Sequence, residues 1–299
     1  MCMHEMHIIH THTYTCHAYT ASYIHIHIHV IHTPHVVQPF HSNSIANRLI
    51  GMRKQWLRAF VLAAAALGPH FVQDLDAVDG FSGSGAFGKY CSEIGWTCAA
   101  YDLQLGNDCT TETGMIDFFK LCLRCKAQAI ILIGPPCQFF IYLSRRSHGK
   151  TIARPSGNNT PFSVQGNRVA LFVAAAIWVC NLLSLSLVIE QPQTSVLWYN
   201  KFVKAALRKA RGNRVSWRMG ALGSETPKPS VGFFLDRRAA AFFRAEVMWK
   251  LRLRRSRLFA NARAYGRGPG GDLRANRLTK RSARYPRGFC KLVIRSHLR

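Results

Sequence analysis

Apolar and polar positions alternate between two rhythms along the middle of the chain, and each rhythm predicts an element. Leu75-Asp76-Ala77-Val78-Asp79-Gly80-Phe81 reads as a strand, Gly83 to Gly85 as a tight glycine turn, and Ala86 to Gly95 as a helix stopped by glycine. A second strand covers Thr97 to Tyr101 and ends at Asp102, and a helix follows over about residues 114–127. The run Ala129-Ile130-Ile131-Leu132-Ile133 is short, β-branched and continuously apolar, as in a strand buried on both faces, and it leads into Gly134-Pro135-Pro136-Cys137. A helix over 166–182 and a strand, Leu185 to Ile189, ending at Glu190 complete the series. The uncharged stretch 169–189 has the length of a bilayer span, but Asn181 and two serines interrupt it, so helix, turn and strand are expected there, with a span as the weaker alternative.

Strands alternating with helices predict an α/β fold, a Rossmann-like doubly wound and mostly parallel sheet. Ligands on such sheets bind beyond the carboxyl ends of the strands. Gly83, Gly85, Asp102, Cys137 and Glu190 all follow or end a predicted strand, so they converge on one rim.

Composition divides the 299 residues into three. Residues 1–46 form a His-rich low-complexity segment: 11 of the 14 histidines lie in residues 1–41, many at alternate positions, but no Cys or carboxylate cluster fixes a metal geometry and no metal is assigned. Residues 47–235 hold the expected folded domain. Residues 236–299 carry 19 Lys and Arg against three acids and read as a flexible Arg-rich tail. The whole chain is at +26, a field that attracts polyanions such as DNA or RNA. Ten scattered cysteines, with Cys122 and Cys125 expected on a buried helix and no second pair at zinc spacing, fit a reducing intracellular location, the nucleus included. No secretory signal pattern is legible.

The rim residues carry recognisable chemistry. A glycine turn lets a cofactor approach the backbone at a helix N-terminus. Asp102, about 20 residues on, is placed to accept ribose hydroxyls. A thiol at a proline-stiffened strand exit, Cys137, is a candidate nucleophile, with Arg145, Arg146 and His148 as candidate helpers. Glu190, at the end of an apolar strand that Gln191-Pro192 is expected to break, is a candidate proton donor.

Phe81-Ser82-Gly83-Ser84-Gly85, Asp108-Cys109-Thr110, Gly134-Pro135-Pro136-Cys137-Gln138-Phe139-Phe140 and Ile189-Glu190 together resemble the motifs of cytosine-C5 methyltransferases, in order and in separation, with 56 residues from Phe81 to Cys137 and 53 from Cys137 to Glu190. The resemblance covers roughly residues 74–195. It implies S-adenosylmethionine as cofactor, held by Phe81, Gly83, Gly85, Asp102, Asp108 and Pro135. It also implies Cys137 as nucleophile toward C6 of cytosine, and Glu190 as its partner at N3. Gln191-Pro192 stand where the family has Asn-Val, and no target-recognition domain is legible after Glu190. Two further readings therefore stay open: a non-catalytic cofactor or nucleic-acid binder derived from this fold, and a small-molecule methyltransferase.

Overall fold

The computed structural model describes residues 54–68, 71–253, 265–267, 273–275 and 284–298. The chain divides into two units, Met1–Val72 and Gln73–Arg299. The His-rich segment and the expected domain start at Asn47 lie outside the described residues. In the first unit the described element is helix α1 (Lys54–Leu67), with Trp56, Ala59 and Ala63 buried at helical spacing.

The second unit is built on a six-stranded sheet flanked by helices. Its elements are β1 (Leu75–Gly80), α2 (Ala86–Glu93), β2 (Cys98–Tyr101), α3 (Glu112–Arg124), β3 (Cys125–Ile133), the single turn α4 (Arg145–His148), α5 (Pro161–Leu182), β4 (Ser186–Pro192), α6 (Lys201–Ala210), β5 (Asn213–Arg218), β6 (Pro229–Phe234), α7 (Arg237–Leu253) and α8 (Arg287–His297). Between α7 and α8 lies a two-stranded antiparallel ribbon, β7 (Tyr265–Arg267) with β8 (Leu273–Ala275). The large sheet runs β2-β1-β3-β4-β6-β5; the first four strands are parallel, and β6 is antiparallel to both neighbours. The sheet is compatible with a Rossmann-like fold. Chain order reverses at β1, between β2 and β3, and ligands on sheets of this kind bind beyond the carboxyl ends of the strands at such a point.

Three expectations change. Cys125 does not share a helix with Cys122: it opens β3, and its Sγ hydrogen bonds the Leu121 carbonyl at 3.2 Å. Gln191-Pro192 does not break the strand after Glu190, because β4 runs to Pro192 and pairs Glu190 with Gly232, Gln191 with Val231 and Pro192 with Ser230. The segment after 235 is not a flexible tail throughout. Ala239, Ala240, Phe243 and Val247 of α7, and Phe289, Cys290, Leu292 and Val293 of α8, are buried in one cluster with Ala77, Leu132, Val188 and Trp217. Their apolar positions recur at helical spacing among arginines, and that face is what folds. The Arg-rich stretch 254–264 lies outside the described residues.

Helix α5 is apolar on nearly all sides from Val169 onward and buries 14 of its 22 residues. It is long and apolar enough to cross a membrane by length and composition, with 67% of that window buried inside the protein. The uncharged run 169–189 is not one helix: α5 ends at Leu182, Ser184 turns the chain at φ 55°, and β4 starts at Ser186. A second aromatic cluster joins Tyr101, Phe118 and Phe172, with Tyr101 stacked on Phe172 at 5.5 Å.

Candidate functional site

The chain leaves β1 through three left-handed residues, Phe81 (φ 59°), Gly83 (φ 50°) and Gly85 (φ 65°). Phe81 is held there despite its side chain, because its amide donates to the Tyr101 carbonyl at 2.6 Å and its ring packs edge-on against Phe172. A Cβ built on Gly85 meets nothing within 4 Å, and one on Gly83 meets only a carbonyl at 3.8 Å. The turn therefore presents uncovered backbone in front of α2.

Asp102 follows β2 directly, and both its oxygens already hold backbone: Oδ2 accepts from the Gly83 amide and Oδ1 from the Gln104 amide, each at 3.0 Å. A carboxylate has about four acceptor positions, so two remain for a ligand hydroxyl. Asp108 folds its own loop, accepting from the Thr110 amide at 2.9 Å and hydroxyl at 2.8 Å. Behind that loop a Cβ on Gly114 would sit 1.9 Å from the Asp108 carbonyl oxygen, so only glycine lets α3 start there.

Asp79, one strand position before the turn, is a site residue that the sequence reading missed. It is buried, and its Oδ2 accepts from the Gly88 amide in the first turn of α2 at 3.2 Å. Burial pushes its carboxyl up to about 6, against the pull of the Gly88 bond and with a further push from Asp102. A carboxyl raised in the folded state binds more protons folded than unfolded, so its contribution to stability falls as pH rises from about 4 to 6. We expect urea unfolding to show a loss on the order of 2 kcal/mol over that window, and Asp79→Asn to flatten it. An unchanged slope in the variant would assign the titration to another group.

Cys137 and Glu190 lie on adjacent strand exits, since Ile133 pairs with Ile189. Cys137 opens a short 3-10 turn (Cys137–Phe139) and is partly buried. Glu190 is 3% exposed. Two of the expected helpers, His148 and Arg145, are engaged elsewhere. His148 is turned to the Ile141 carbonyl through Nε2 (3.1 Å) and to the Lys150 amide through Nδ1 (2.9 Å), and burial lowers its pKa. Arg145 lies over the Tyr142 ring. The cation at the site is Lys228, whose Nζ is 3.3 Å from Glu190 Oε1. That contact is an ion pair only, since Oε1 has no hydrogen-bond partner among the described residues, and Oε2 accepts from the Tyr285 hydroxyl at 3.3 Å.

The antiparallel strand explains Lys228. Parallel strands reach this rim with their exits, whereas β6 enters there, so the residue just before Pro229 arrives beside Glu190. Tyr285 comes from the segment before α8; its ring packs on Phe289 at 4.8 Å, and its hydroxyl would lie 2.2 Å from a Cβ on Gly134. Neither residue carries a motif. Lys228 sits in a Pro-Lys-Pro step and Tyr285 in arginine-rich sequence.

Burial pushes the Cys137 thiol above its ordinary value, Lys228 pulls it down, and the Glu190 charge pushes it up. Lys228→Gln is therefore expected to slow alkylation of Cys137 by iodoacetamide at pH 8 by roughly threefold to tenfold, read by mass spectrometry of the Cys137 peptide. Lys228→Arg should restore most of the rate. Equal rates in all three proteins would remove the lysine from thiol activation.

Gln191 faces the other way from Glu190 and ties the two loops together. Its Nε2 donates to the Pro135 carbonyl, Ser195 Oγ donates to its Oε1 at 2.9 Å, and the Val196 amide donates to the Phe140 carbonyl at 2.8 Å. Pro135 thus enters the site as an acceptor that fixes the Cys137 loop. Lys150 braces the far side of that loop: it is buried, bonded to Asn167 Oδ1 and lies over the Phe140 ring at 5.3 Å, and burial pulls its ammonium down to about 8.

No family model, no curated protein and no solved structure matches the chain.

Proposed function

We propose that this protein is an S-adenosylmethionine-dependent methyltransferase of the cytosine-C5 type acting on nucleic acid. The observation that carries the reading is the pairing of Cys137 and Glu190 on adjacent strand exits around one lysine, beside an open glycine turn. A doubly wound sheet belongs to the same reading. It is supported by side chains that alternate along the strands, Ala77, Leu132 and Val188 in the cluster with α7 and α8, and Tyr101 against α5.

The residues present fit the cofactor. Gly83 and Gly85 leave backbone uncovered where a side chain would stand, Asp102 keeps acceptor positions for ribose hydroxyls, Phe81 belongs to the same turn, and Asp108 and Pro135 belong to the loops that follow β2 and β3. Bound there, S-adenosylmethionine supplies an electrophilic methyl group. The target cytosine has to be unstacked or single-stranded to reach the rim. Cys137 thiolate adds to C6, and Glu190, in its acid form at this step, donates its proton to N3 while C5 becomes nucleophilic and takes the methyl. Solvent water then takes the C5 proton, the C5–C6 double bond re-forms and Cys137 leaves as the thiolate. Lys228 favours the ionised thiol before addition, and Tyr285 keeps the Glu190 carboxyl group oriented.

The eight described cysteines are all unpaired, which suits a reducing intracellular compartment. One observation favours the non-catalytic binder instead: burial holds Cys137 above the ordinary thiol value. The deciding experiment is calorimetric titration of the whole chain with S-adenosylmethionine, with Asp102→Ala as control, followed by a transfer assay on DNA and RNA. Binding weakened roughly tenfold by the control, with label appearing in cytosine, supports the proposal. Binding without transfer selects the non-catalytic reading, transfer to metabolites alone selects the small-molecule enzyme, and no binding by folded protein overturns the cofactor site.

A further inference from the structure

A groove with a volume of about 380 Å³ runs between the loop 152–156 and the start of α6. Ile152, Ser156, Tyr199, Lys201, Lys204 and Arg208 line it, and neither Cys137 nor Glu190 does. Its position follows from the topology. Helix α5 returns the chain from the exit side of β3 to the start of β4, so the loop before Pro161 lies at the strand exits; α6 begins just after the exit of β4, so Tyr199 and Lys201 lie there too. The groove is therefore on the rim that carries Cys137 and Glu190.

Its chemistry is one-sided. Lys201, Lys204 and Arg208 recur at helical spacing, and all three are exposed. Residues 118–224 contain 15 Lys and Arg and a single acid, the buried Glu190, so no carboxylate in that stretch competes for these cations. An aromatic and an aliphatic side chain that water covers at a cost line the same groove, Tyr199 at 42% and Ile152 at 61% exposure. Cations that track a backbone beside an aromatic face for stacking are the pair of features that hold single-stranded nucleic acid. In a duplex the base faces are already stacked, and a Tyr199 platform would have nothing to receive. The volume is at the low end for a small-ligand cleft, the size of about one nucleotide unit and far below a duplex turn.

We propose that this groove binds a single-stranded segment of nucleic acid, with Lys201, Lys204 and Arg208 on phosphates and Tyr199 stacked on a base, next to the site where a base would react. The proposal rests on the nucleic-acid reading above for its biological sense, but its test does not use methyl transfer. The full chain is titrated into a labelled oligothymidylate about 12 nucleotides long, with the anisotropy followed across salt concentration. Two neutralised pairs are compared, Lys204→Gln with Arg208→Gln in the groove, and Arg238→Gln with Arg252→Gln on α7, so that both lose the same charge.

The groove pair is expected to weaken binding at least tenfold more than the α7 pair, and to lower the log-log salt slope by about 1.4. Tyr199→Ala should weaken binding roughly fivefold to tenfold with the slope unchanged. Equal losses from the two pairs would assign binding to the overall positive field and overturn the proposal. Preference for duplex over single strand, or for a mononucleotide as strongly as the oligomer, would also overturn it. Groove-dependent binding of a strand that is never methylated would support this inference while removing the transferase reading.

Discussion

Cys137→Ala is expected to abolish cytosine methylation, by on the order of 10⁴-fold or more, while leaving S-adenosylmethionine affinity within about twofold of the parent. The size follows from the role: without the sulfur no bond to C6 forms, C5 stays a poor nucleophile, and the other site groups have nothing to act on. The selectivity follows from place. Cys137 follows β3, whereas the open turn and Asp102 follow β1 and β2, and the Cys137 loop is pinned through Pro135, Gln191 and Phe140 rather than through its thiol. Calorimetry and a labelled-methyl assay on the same preparation measure both halves. Undiminished transfer by the alanine variant would end the nucleophile assignment, and a parallel loss of cofactor affinity would mean that the substitution had disturbed the rim as a whole.

Phe289→Ala carries the largest expected loss of stability, about 3–5 kcal/mol in urea unfolding. Phe289 is fully buried, stacked on Trp217 at 5.7 Å, edge-on to Phe243 at 6.1 Å and against Tyr285 at 4.8 Å. Truncation leaves a cavity walled by three large rings, which cannot close without moving α7 or α8. Phe289→Leu keeps most of the volume and should lose no more than about 1.5 kcal/mol. Similar small losses for both would show that α8 contributes little to the fold. The same cavity removes the support behind Tyr285, so the milder variant is the one in which to look for an effect on Glu190 separate from unfolding.

Much of the parallel half of the sheet was legible because each strand there is written in one place. Ile130 to Ile133 and Leu187 to Ile189 are unbroken apolar runs, and a strand buried on both faces needs nothing else. The rim residues were legible for the same reason, being the first polar or glycine positions after those runs. What escaped was written non-locally. The apolar stripe of α7 is Ala239, Ala240, Phe243 and Val247, four positions diluted by arginines, and composition averaged over the segment reports the arginines. Pro192 looked like a strand breaker, yet the last position of a strand loses little by lacking an amide donor. Lys228 and Tyr285 reach Glu190 only once β6 has reversed direction and α8 has docked, and no spacing along the chain encodes either event. Asp79 was passed over as one acid in an apolar strand, the pattern of a tolerated exception as much as of a site.

The hydroxyl of Tyr285 reaches Glu190 across 95 positions of sequence. In a chain made from its N-terminus, every parallel strand, the Cys137 loop and the glycine turn are complete long before Tyr285 exists. During that interval Trp217, Phe243 and the inner face of α2 stand open to solvent, and Glu190 lacks one of its two partners. The order of synthesis therefore separates having the parts of the rim from having a finished one. A ribosome stalled or terminated before Tyr285 would release a protein with all its motifs, an exposed aromatic face, and a strong tendency to associate through it.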